Sequence, residues 1–254
     1  MALQDLHILN TRPKTQAGVL NTLLEKQGAN VINLPTIEII PANDLSQLSH
    51  LISQLSLFEI IIFVSANAVD YAIPYWPKNV CSKIIAIGNG TAAALKRHGL
   101  KVDYQPTEMN SEGLIQLEIL QKIQGTKIMI MSGANTRPFL ANTLIKRGAH
   151  VEICACYQRY CPFFDCSTEL SKIQSSNIDC IISTSLESLH NLYSMLGAPG
   201  RDWLLKQRLL VISSEMKNKS LELGFINPLL AENATNEAIV NCLLIHYNTV
   251  KSCR

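Results

Sequence analysis

The chain has little net charge and no long apolar run. Its 254 residues include 22 Lys and Arg against 20 Asp and Glu, a formal net charge of +2. Neither half holds a basic stripe, so the composition does not favour nucleic-acid binding. The longest apolar stretch, residues 60–64, is far shorter than the roughly 20 residues needed to cross a membrane. The N-terminus shows no charged region before an apolar core, so we expect a cytoplasmic protein.

Metal-binding patterns are also missing, although the chain has eight cysteines. Their spacing matches no usual two-pair zinc arrangement, so zinc is the less favoured alternative. Two of the clustered cysteines alternate along a predicted strand, which places both on one face as small apolar residues. We expect buried or incidental thiols, no metal site and no disulfides. The cluster consists of Cys154, Cys156, Cys161, Cys166 and Cys180.

The second half of the sequence repeats the first. Residues 21–29 return at 142–149, and residues 111–114 return at 236–239. A short insertion around residues 197–202 accounts for a slip in the offset. The period is too long for a solenoid, whose units run about 20–50 residues. It predicts a duplicated domain, and paired domains commonly hold a ligand between them.

Apolar strands alternate with amphipathic helices along both halves, which predicts an α/β fold. The predicted strands are short and rich in Ile and Val, as is typical of strands covered on both faces. We expect two duplicated, flavodoxin-like, doubly wound parallel sheets of four or five strands each, with right-handed crossovers. The predicted strands are residues 7–10, 31–34, 59–64, 83–87, 127–131, 151–156, 179–183 and 208–212.

Two extended connectors occupy equivalent places in the two copies. Each follows the second strand of its copy and is closed by a proline, which disfavours helix just before it. Connectors at that point allow the first strand–helix–strand unit to be exchanged between the halves. We therefore predict a discontinuous domain of residues 1–35 plus 165–254, a second domain of residues 42–156, and a linker of two segments, 36–41 and 157–164.

Polar turns follow the predicted strands, and each turn precedes a helix. In an open parallel sheet, ligands bind beyond the carboxyl ends of the strands. Free backbone N–H groups and hydroxyls at helix N-termini suit anions, although the same residues also serve as ordinary helix caps. Because several such turns share the sheet edges, we predict a ligand with several carboxylates or phosphates. The turns contain Thr11, Arg12, Ser65, Ala66, Asn67, Gly88, Asn89, Thr91, Ser132, Gly133, Thr184, Ser185, Ser213 and Ser214.

These turns lack the groups of strong acid–base chemistry. No carboxylate pair, Ser–His–Asp set or metal cluster can be assembled from them. An enzyme built on them would act by holding a reactive substrate in shape. Two other classes stay open: a non-catalytic two-lobed anion-binding module, and an NAD(P)-dependent oxidoreductase. The second rests on residues 88–93, Gly-Asn-Gly-Thr-Ala-Ala, which occur late in their half, whereas the dinucleotide fingerprint belongs to the first strand–helix unit.

With these motifs in view, the chain resembles the uroporphyrinogen-III synthase family over essentially its whole length. The resemblance implies a bilobal fold and a lyase of porphyrin and heme biosynthesis that works without a cofactor. The implied reaction closes hydroxymethylbilane, a linear tetrapyrrole, to uroporphyrinogen III, inverting ring D through a spiro intermediate with loss of water. The segments that carry the resemblance include Thr-Arg-Pro at 11–13, Phe-Val-Ser-Ala-Asn-Ala-Val at 63–69, Ala-Ile-Gly at 86–88, Ser-Glu-Gly-Leu at 111–114 and Thr-Ser at 184–185.

The resemblance also assigns roles to particular residues. Tyr157 falls on the one side chain of the family credited with a catalytic part, as a phenol that assists departure of the substrate hydroxyl. The alternative is a strand-end tyrosine that packs its ring and hydrogen-bonds its hydroxyl. The resemblance makes Ser65, Asn67, Thr91 and Ser185 carboxylate contacts.

One turn of the second half departs from the family pattern. Many members have Gly-x-x-Thr there, whereas this chain has Ser-Ser-Glu-Met at 213–216, which leaves Ser213 and Ser214 as substitutes for the threonine hydroxyl. Arg12 is a further candidate, because arginine grips carboxylates bidentately, with a surface arginine beside a helix start as the alternative. We expect a monomer without nucleic-acid or membrane partners, to which hydroxymethylbilane synthase could hand the substrate.

Overall fold

The computed structural model describes residues 3–165 and 168–252. The chain divides into two compact units. Unit 1 comprises Met1–Glu38 and Tyr160–Arg254, and unit 2 comprises Ile39–Arg159. The predicted domain bounds also cover residues 1–2, 166–167 and 253–254, which lie outside the described residues, as does Cys166 of the cysteine cluster.

Strands and helices alternate along the chain, as the sequence predicts. The strands are β1 His7–Asn10, β2 Asn30–Asn33, β3 Glu38–Pro41, β4 Ile60–Phe63, β5 Lys83–Ala86, β6 Lys127–Gly133, β7 His150–Tyr160, β8 Cys180–Ile182, β9 Leu209–Val211 and β10 Leu229–Leu230. The helices are α1 Lys14–Lys26, α2 Leu45–Ser53, α3 Ala66–Ala72, α4 Asn89–Arg97, α5 Ser111–Gln116, α6 Phe139–Lys146, α7 Glu169–Ser175, α8 Leu186–Met195, α9 Gly197–Lys206, α10 Ser214–Glu222 and α11 Asn236–Ser252.

Each unit is built on one five-stranded sheet. The order is β10-β9-β8-β1-β2 in unit 1 and β3-β7-β6-β4-β5 in unit 2. The central pairings, of β1 with β2 and β8 and of β4 with β5 and β6, are parallel. In the order in which the chain forms them, the strands of unit 1 lie as 2-1-3-4-5, which is the flavodoxin-like arrangement. The predicted fold class, with two doubly wound parallel sheets, is confirmed.

The duplication is visible in both sheets. Strands β9-β8-β1-β2 of unit 1 correspond in place to β5-β4-β6-β7 of unit 2. Residues 61–70 and 181–190 repeat the same succession of buried, half-buried and exposed positions. The short strand β10 is matched in unit 2 by a single parallel bridge between Ile85 and Tyr104. The two units are therefore copies of one architecture.

Each sheet buries apolar side chains on both of its faces. On β4, Ile61 belongs to one core cluster of unit 2 and Ile62 to the other. On β1, Leu9 and Ile8 divide in the same way between the two clusters of unit 1. Successive side chains of a strand point to opposite faces, so a strand covered on both sides must be apolar throughout. In the described ranges, no helix is both long enough and apolar enough to span a membrane.

Two strands, β3 and β10, and one helix, α9, go beyond the sequence predictions. The segments expected to be linkers, 36–41 and 157–164, contain β3 and the last residues of β7, because β3 extends the sheet of unit 2 beside β7. The insertion around 197–202 begins α9, although its glycines and proline are typical of a loop. Burial of Leu204 in the core of unit 1 stabilises that helix.

Candidate functional site

Each sheet has one reversal point, where the chain stops adding strands at one edge of the sheet and continues at the other. In unit 1 this point lies between β1 and β8, and in unit 2 it lies between β4 and β6. Ligands of doubly wound sheets bind at the carboxyl ends of the strands beside such a point. The turns that follow these four strands are therefore the places in each unit where a ligand site is expected.

Arg12 lies at the reversal point of unit 1. Its Nε donates to Thr184 Oγ1 at 3.3 Å and its Nη1 to Asn236 Oδ1 at 2.5 Å. Its backbone N–H donates to Asn10 Oδ1 at 3.1 Å. These partners are all neutral, and no carboxylate among residues 3–165 and 168–252 forms an ion pair with the guanidinium. Arg12 is thus a fixed cation whose charge the described part of the chain leaves unneutralised.

Burial affects the charge of Arg12 only slightly. Partial desolvation lowers the pKa of the guanidinium from its usual value, because a less polar surrounding disfavours the charged form. An arginine nevertheless stays protonated in proteins. A partly desolvated cation interacts more strongly with an anion than one in bulk water, since the effective dielectric constant around it is lower.

The side chain of Thr11 faces the interior of unit 1. Its Oγ1 donates to Ile182 O at 2.8 Å and lies 2.9 Å from Ser188 Oγ, which lies 2.7 Å from Thr36 Oγ1. Thr11, Thr36 and Ser188 are all buried. Asn191 Nδ2 completes the network by donating to Thr36 O at 2.8 Å. The Thr11 hydroxyl is therefore satisfied within the protein.

Serine hydroxyls in the turns cap the helices that follow. Ser65, Ser185 and Ser213 each accept a hydrogen bond from the backbone N–H three residues further on, at 3.1, 3.0 and 3.2 Å. The capping interpretation of these turns is thus realised. A capping hydroxyl keeps its own proton for donation, so capping and ligand binding are compatible. Thr184 is half-buried beside Ser185, and Ser214 is exposed at the start of α10.

The turn before α4 is partly covered by neighbouring side chains. A Cβ placed on the buried Gly88 would lie 3.0 Å from Met109 Cβ. Asn89 Oδ1 accepts from Gln105 Nε2 at 2.7 Å. Thr91, in the first turn of α4, is buried. This turn therefore offers a ligand less surface than its sequence suggests.

A β-bulge positions Tyr157 near the reversal point of unit 2. Ser132 of β6 pairs with Ala155 of β7, but the next residue, Gly133, pairs with Tyr157. Cys156 is the extra residue of the bulge. Neighbouring residues of a regular strand face opposite sides of the sheet, yet Cys156 and Tyr157 both enter the same core cluster. The bulge therefore redirects the tyrosine relative to a regular strand.

The phenol of Tyr157 contacts residues that the sequence predicts to bind the ligand. Ser65 Oγ donates to Tyr157 Oη at 3.2 Å. A Cβ on Gly133 would lie 2.9 Å from Tyr157 Cζ and 3.1 Å from its hydroxyl oxygen, so the ring passes directly over the glycine. Ser132 is buried, and its Oγ donates to Gly133 O at 3.1 Å. Ala66 and Asn67 are half-buried in the first turn of α3, beside Ser65. The structure thus brings the Tyr157 phenol into contact with Ser65 and Gly133, and Ser132 precedes Gly133 on β6.

Three residues that contact these groups were not predicted from the sequence. Asn10 and Asn236 orient Arg12, and Tyr71 stacks on Tyr157 with ring centroids 6.1 Å apart. Asn236 is 224 residues from Arg12, so only its position at the start of α11 could have drawn attention to it. Its neutral amide leaves the charge of Arg12 available.

Metal and thiol chemistry have little support in the described ranges. Residues 3–165 and 168–252 contain no group of three or more His, Cys, Asp or Glu placed to hold a metal ion. Cys154, Cys156 and Cys180 are buried free thiols. Burial keeps the pKa of Cys180 well above its usual value, so this thiol stays protonated. At the described strand ends, the groups available for chemistry include a guanidinium, hydroxyls, amides and the Tyr157 phenol.

The fold and these turns define a class: a duplicated, doubly wound α/β protein whose polar strand ends suit an anionic ligand. The HEM4 family model, uroporphyrinogen-III synthase HemD, matches residues 18–241. The uroporphyrinogen-III synthase of Escherichia coli (strain K12) is 33% identical over 247 residues, covering 94% of this chain and 100% of that protein. The enzyme of the same name from Salmonella typhimurium is 32% identical over the same shares. The chain belongs to the uroporphyrinogen-III synthase family.

Solved structures agree on the fold. A mutant uroporphyrinogen III synthase from the extremely thermophilic bacterium Thermus thermophilus matches with a TM-score of 0.64, covering 97% of this chain and 99% of that chain at 15% identity. The uroporphyrinogen-III synthetase of Helicobacter pylori 26695 matches with a TM-score of 0.61, covering 95% and 99% at 16% identity. At such identities the likeness concerns the α/β architecture.

Proposed function

We propose that this chain cyclises hydroxymethylbilane to uroporphyrinogen III, inverting ring D through a spiro intermediate with loss of water. The observation that carries the proposal is full-length similarity to proteins named uroporphyrinogen-III synthase, at 33% identity over 94% of the chain. The protein is then a lyase of porphyrin and heme biosynthesis that works without a cofactor. Neither alternative class, the anion-binding module or the NAD(P)-dependent oxidoreductase, is favoured by these relatives.

The free N–H donors of Arg12 support a role for this residue in binding substrate carboxylates at the reversal point of unit 1. A guanidinium has five N–H donors, and its bonds to Thr184 and Asn236 leave further donors for a carboxylate. Those two bonds also fix the plane of the group, which favours bidentate contact. We propose that Arg12 pairs with one carboxylate of the linear tetrapyrrole and so helps to fold it.

The hydrogen bonding of Tyr157 supports a role for its phenol in assisting departure of the substrate hydroxyl. Ser65 donates to the phenolic oxygen, which leaves the phenolic proton free for donation. The proton can then be given to, or shared with, the hydroxyl that departs from the substrate. The carbon that loses this hydroxyl is activated by its pyrrole, so the step needs no strong acid, and Tyr157→Phe should weaken activity without abolishing it.

The other proposed substrate contacts are the remaining turn residues. Thr11 and Ser132 are assigned to the fold, because their hydroxyls are buried and bonded within the protein. The proposed contacts besides Arg12 are Ser65, Ala66, Asn67, Gly88, Asn89, Thr91, Gly133, Thr184, Ser185, Ser213 and Ser214.

The remaining proposals concern organisation. We propose that residues 1–35 plus 165–254 and residues 42–156 act as two domains, joined at segments 36–41 and 157–164. We also propose a cytoplasmic monomer that receives its substrate from hydroxymethylbilane synthase. Sedimentation velocity and cell fractionation test the oligomeric state and the location, and a kinetic search for substrate channelling tests the transfer.

A coupled assay tests the proposed function. Hydroxymethylbilane is generated from porphobilinogen by its deaminase, this protein is added, and the oxidised type I and type III uroporphyrins are separated. We expect the type III isomer to predominate. Type I alone, from a sample shown to be folded by circular dichroism, would overturn the proposal, because spontaneous closure yields that isomer.

Arg12→Lys tests the proposed carboxylate contact in the same assay. Lysine keeps the charge but loses the planar fork, so we expect KM to rise about tenfold, which corresponds to about 1.4 kcal/mol of binding free energy. Because the contact is proposed to bind the substrate before and during the reaction alike, kcat should change little. Arg97→Lys is the control, since that arginine is exposed and pairs with Asp70. An unchanged KM for Arg12→Lys would remove Arg12 from the binding site.

A further inference from the structure

Tyr71 is the aromatic neighbour of Tyr157 in unit 2. The two ring centroids lie 6.1 Å apart with an interplanar angle of 27°. Tyr71 lies on α3, the helix capped by Ser65, and Ser65 donates to the Tyr157 hydroxyl. One short helix therefore provides two contacts to the phenol, a hydrogen bond at its start and a stacked ring near its end.

The Tyr71 ring is itself fixed at its far end. Its Oη donates to Ile39 O, the first residue of unit 2, at 2.7 Å. Burial, and next the charge of Asp70, raise the pKa of Tyr71, so its hydroxyl remains a donor at physiological pH. A ring that is held at its hydroxyl restricts the position of the ring stacked on it.

The duplication provides an internal comparison for Tyr71. Asn191 occupies the same place on α8, the same number of residues after its capping serine, Ser185. Its Nδ2 donates to Thr36 O at 2.8 Å, so both copies use this position to hold a backbone carbonyl of the segment 36–39. An amide is sufficient for that task in unit 1. The aromatic ring of Tyr71 is not needed for the anchoring, and what it adds is the contact with Tyr157.

We propose that Tyr71 is a positioning residue that orients the Tyr157 phenol, by stacking on its ring while being tied to Ile39. The inference rests on the proposed function, since it concerns the phenol assigned to that reaction. Gly133 limits Tyr157 further, because a Cβ there would lie within 3.1 Å of its ring and hydroxyl. Orientation matters because small displacements of a reacting group cost large factors in rate.

Kinetics of Tyr71 variants test the proposal. Tyr71→Leu removes the stacked ring, and we expect kcat to fall about tenfold with little change in KM, a smaller loss than the hundredfold that a misplacement of about 1 Å can cause. Tyr71→Phe keeps the stacked ring but loses the bond to Ile39 O, so its kcat should fall by less than that of Tyr71→Leu. Asn191→Ala is the matched control, because it removes the equivalent anchor without touching Tyr157, and it should leave kcat unchanged. Equal losses in Tyr71→Leu and Asn191→Ala would overturn the proposal in favour of simple anchoring.

A double-mutant cycle separates positioning from a general structural effect. On the Tyr157→Phe background, Tyr71→Leu should cause little further loss of kcat, because the phenol that it positions is gone. The same loss in both backgrounds would contradict the inference. If Tyr71→Leu fails to fold, Tyr71→Met serves instead, as an unbranched side chain that fills irregular space.

A spectroscopic readout keeps the inference separate from the proposed function. In protein labelled with carbon-13 at tyrosine Cζ, the Tyr157 signal is identified by its disappearance in Tyr157→Phe. Because loss of the Tyr71 ring would shift this signal through the ring current alone, the comparison uses Tyr71→Phe, which keeps the ring and loses only the bond to Ile39 O. The signal should shift in Tyr71→Phe but not in Asn191→Ala. An unshifted signal would refute the positioning role. If the unaltered protein makes only type I product, the proposed function fails, while this measurement still decides whether Tyr71 orients Tyr157.

Discussion

Replacing Thr11 by valine removes one buried hydroxyl from unit 1 and nearly preserves the shape of the side chain. The hydroxyl makes two hydrogen bonds, to Ile182 O at 2.8 Å and to Ser188 Oγ at 2.9 Å. Each such bond contributes about 0.5–1.5 kcal/mol to the free energy of unfolding. The total depends on whether the two partners are left without a bond.

Both partners of the Thr11 hydroxyl keep another hydrogen bond in the Thr11→Val variant. Ile182 O still accepts from the Thr11 backbone N–H at 3.2 Å, and Ser188 Oγ still bonds to Thr36 Oγ1 at 2.7 Å. The penalty for an unsatisfied buried group, about 1–3 kcal/mol, therefore applies only in small part. We expect Thr11→Val to lower the free energy of unfolding of unit 1 by about 1–2 kcal/mol. This loss is smaller than that of a mutation that leaves a buried polar atom without a hydrogen bond.

The chain offers a separate fluorescent reporter for each unit. Its two tryptophans are Trp203, packed on a core of unit 1, and Trp76, packed on a core of unit 2. In a Trp76→Phe background, the emission of Trp203 follows the urea unfolding of unit 1, and the midpoint and slope yield the free energy. Thr22→Val is the control, because its exposed hydroxyl only bonds to Gly18 O, and it should change stability by less than about 0.5 kcal/mol.

One combination of results would refute this reasoning. If Thr11→Val leaves the stability of unit 1 unchanged but raises KM in the coupled assay, the Thr11 hydroxyl faces the substrate. The buried network with Ser188 and Thr36 would then not describe the protein in solution. A loss of stability with an unchanged KM is the expected outcome.

Two further predictions concern stability. Ser185→Ala removes the cap of α8 and should cost about 1 kcal/mol by Trp203 emission, and Ser65→Ala should cost a similar amount in unit 2; no loss in either unit would argue against the caps. Burial, and next the charge of Arg208, lower the pKa of His246. The folded protein then binds this proton less well than the unfolded chain. The contribution of His246 to stability is therefore complete above the unfolded pKa, about 6.5, and is lost as pH falls through the lowered folded pKa. His246→Gln should therefore reduce the loss of stability below about pH 6.5 in urea titrations, and an unchanged profile would contradict this assignment.

The architecture was predictable because its determinants are local and repeated. Apolar strands such as Ile60–Phe63 must be apolar throughout when helices cover both faces of a sheet, and that composition is visible in the sequence. The duplication made the same pattern appear twice, and the motifs in the turns resembled one family. The elements that were missed, such as β3 and α9, contain prolines or glycines whose local preference is outweighed by packing.

The sequence by itself determined the two-sheet fold, the family and the edge of each sheet where polar turns gather. Only the tertiary structure decided which way those residues face. Thr11 points inward because the pairing of β1 with β8 brings Ile182, 171 residues away, within hydrogen-bonding distance. Tyr157 shares a core with Cys156 because one extra residue in β7 shifts the register against β6. Strand pairing joins distant parts of the chain, and no local pattern of residues records it.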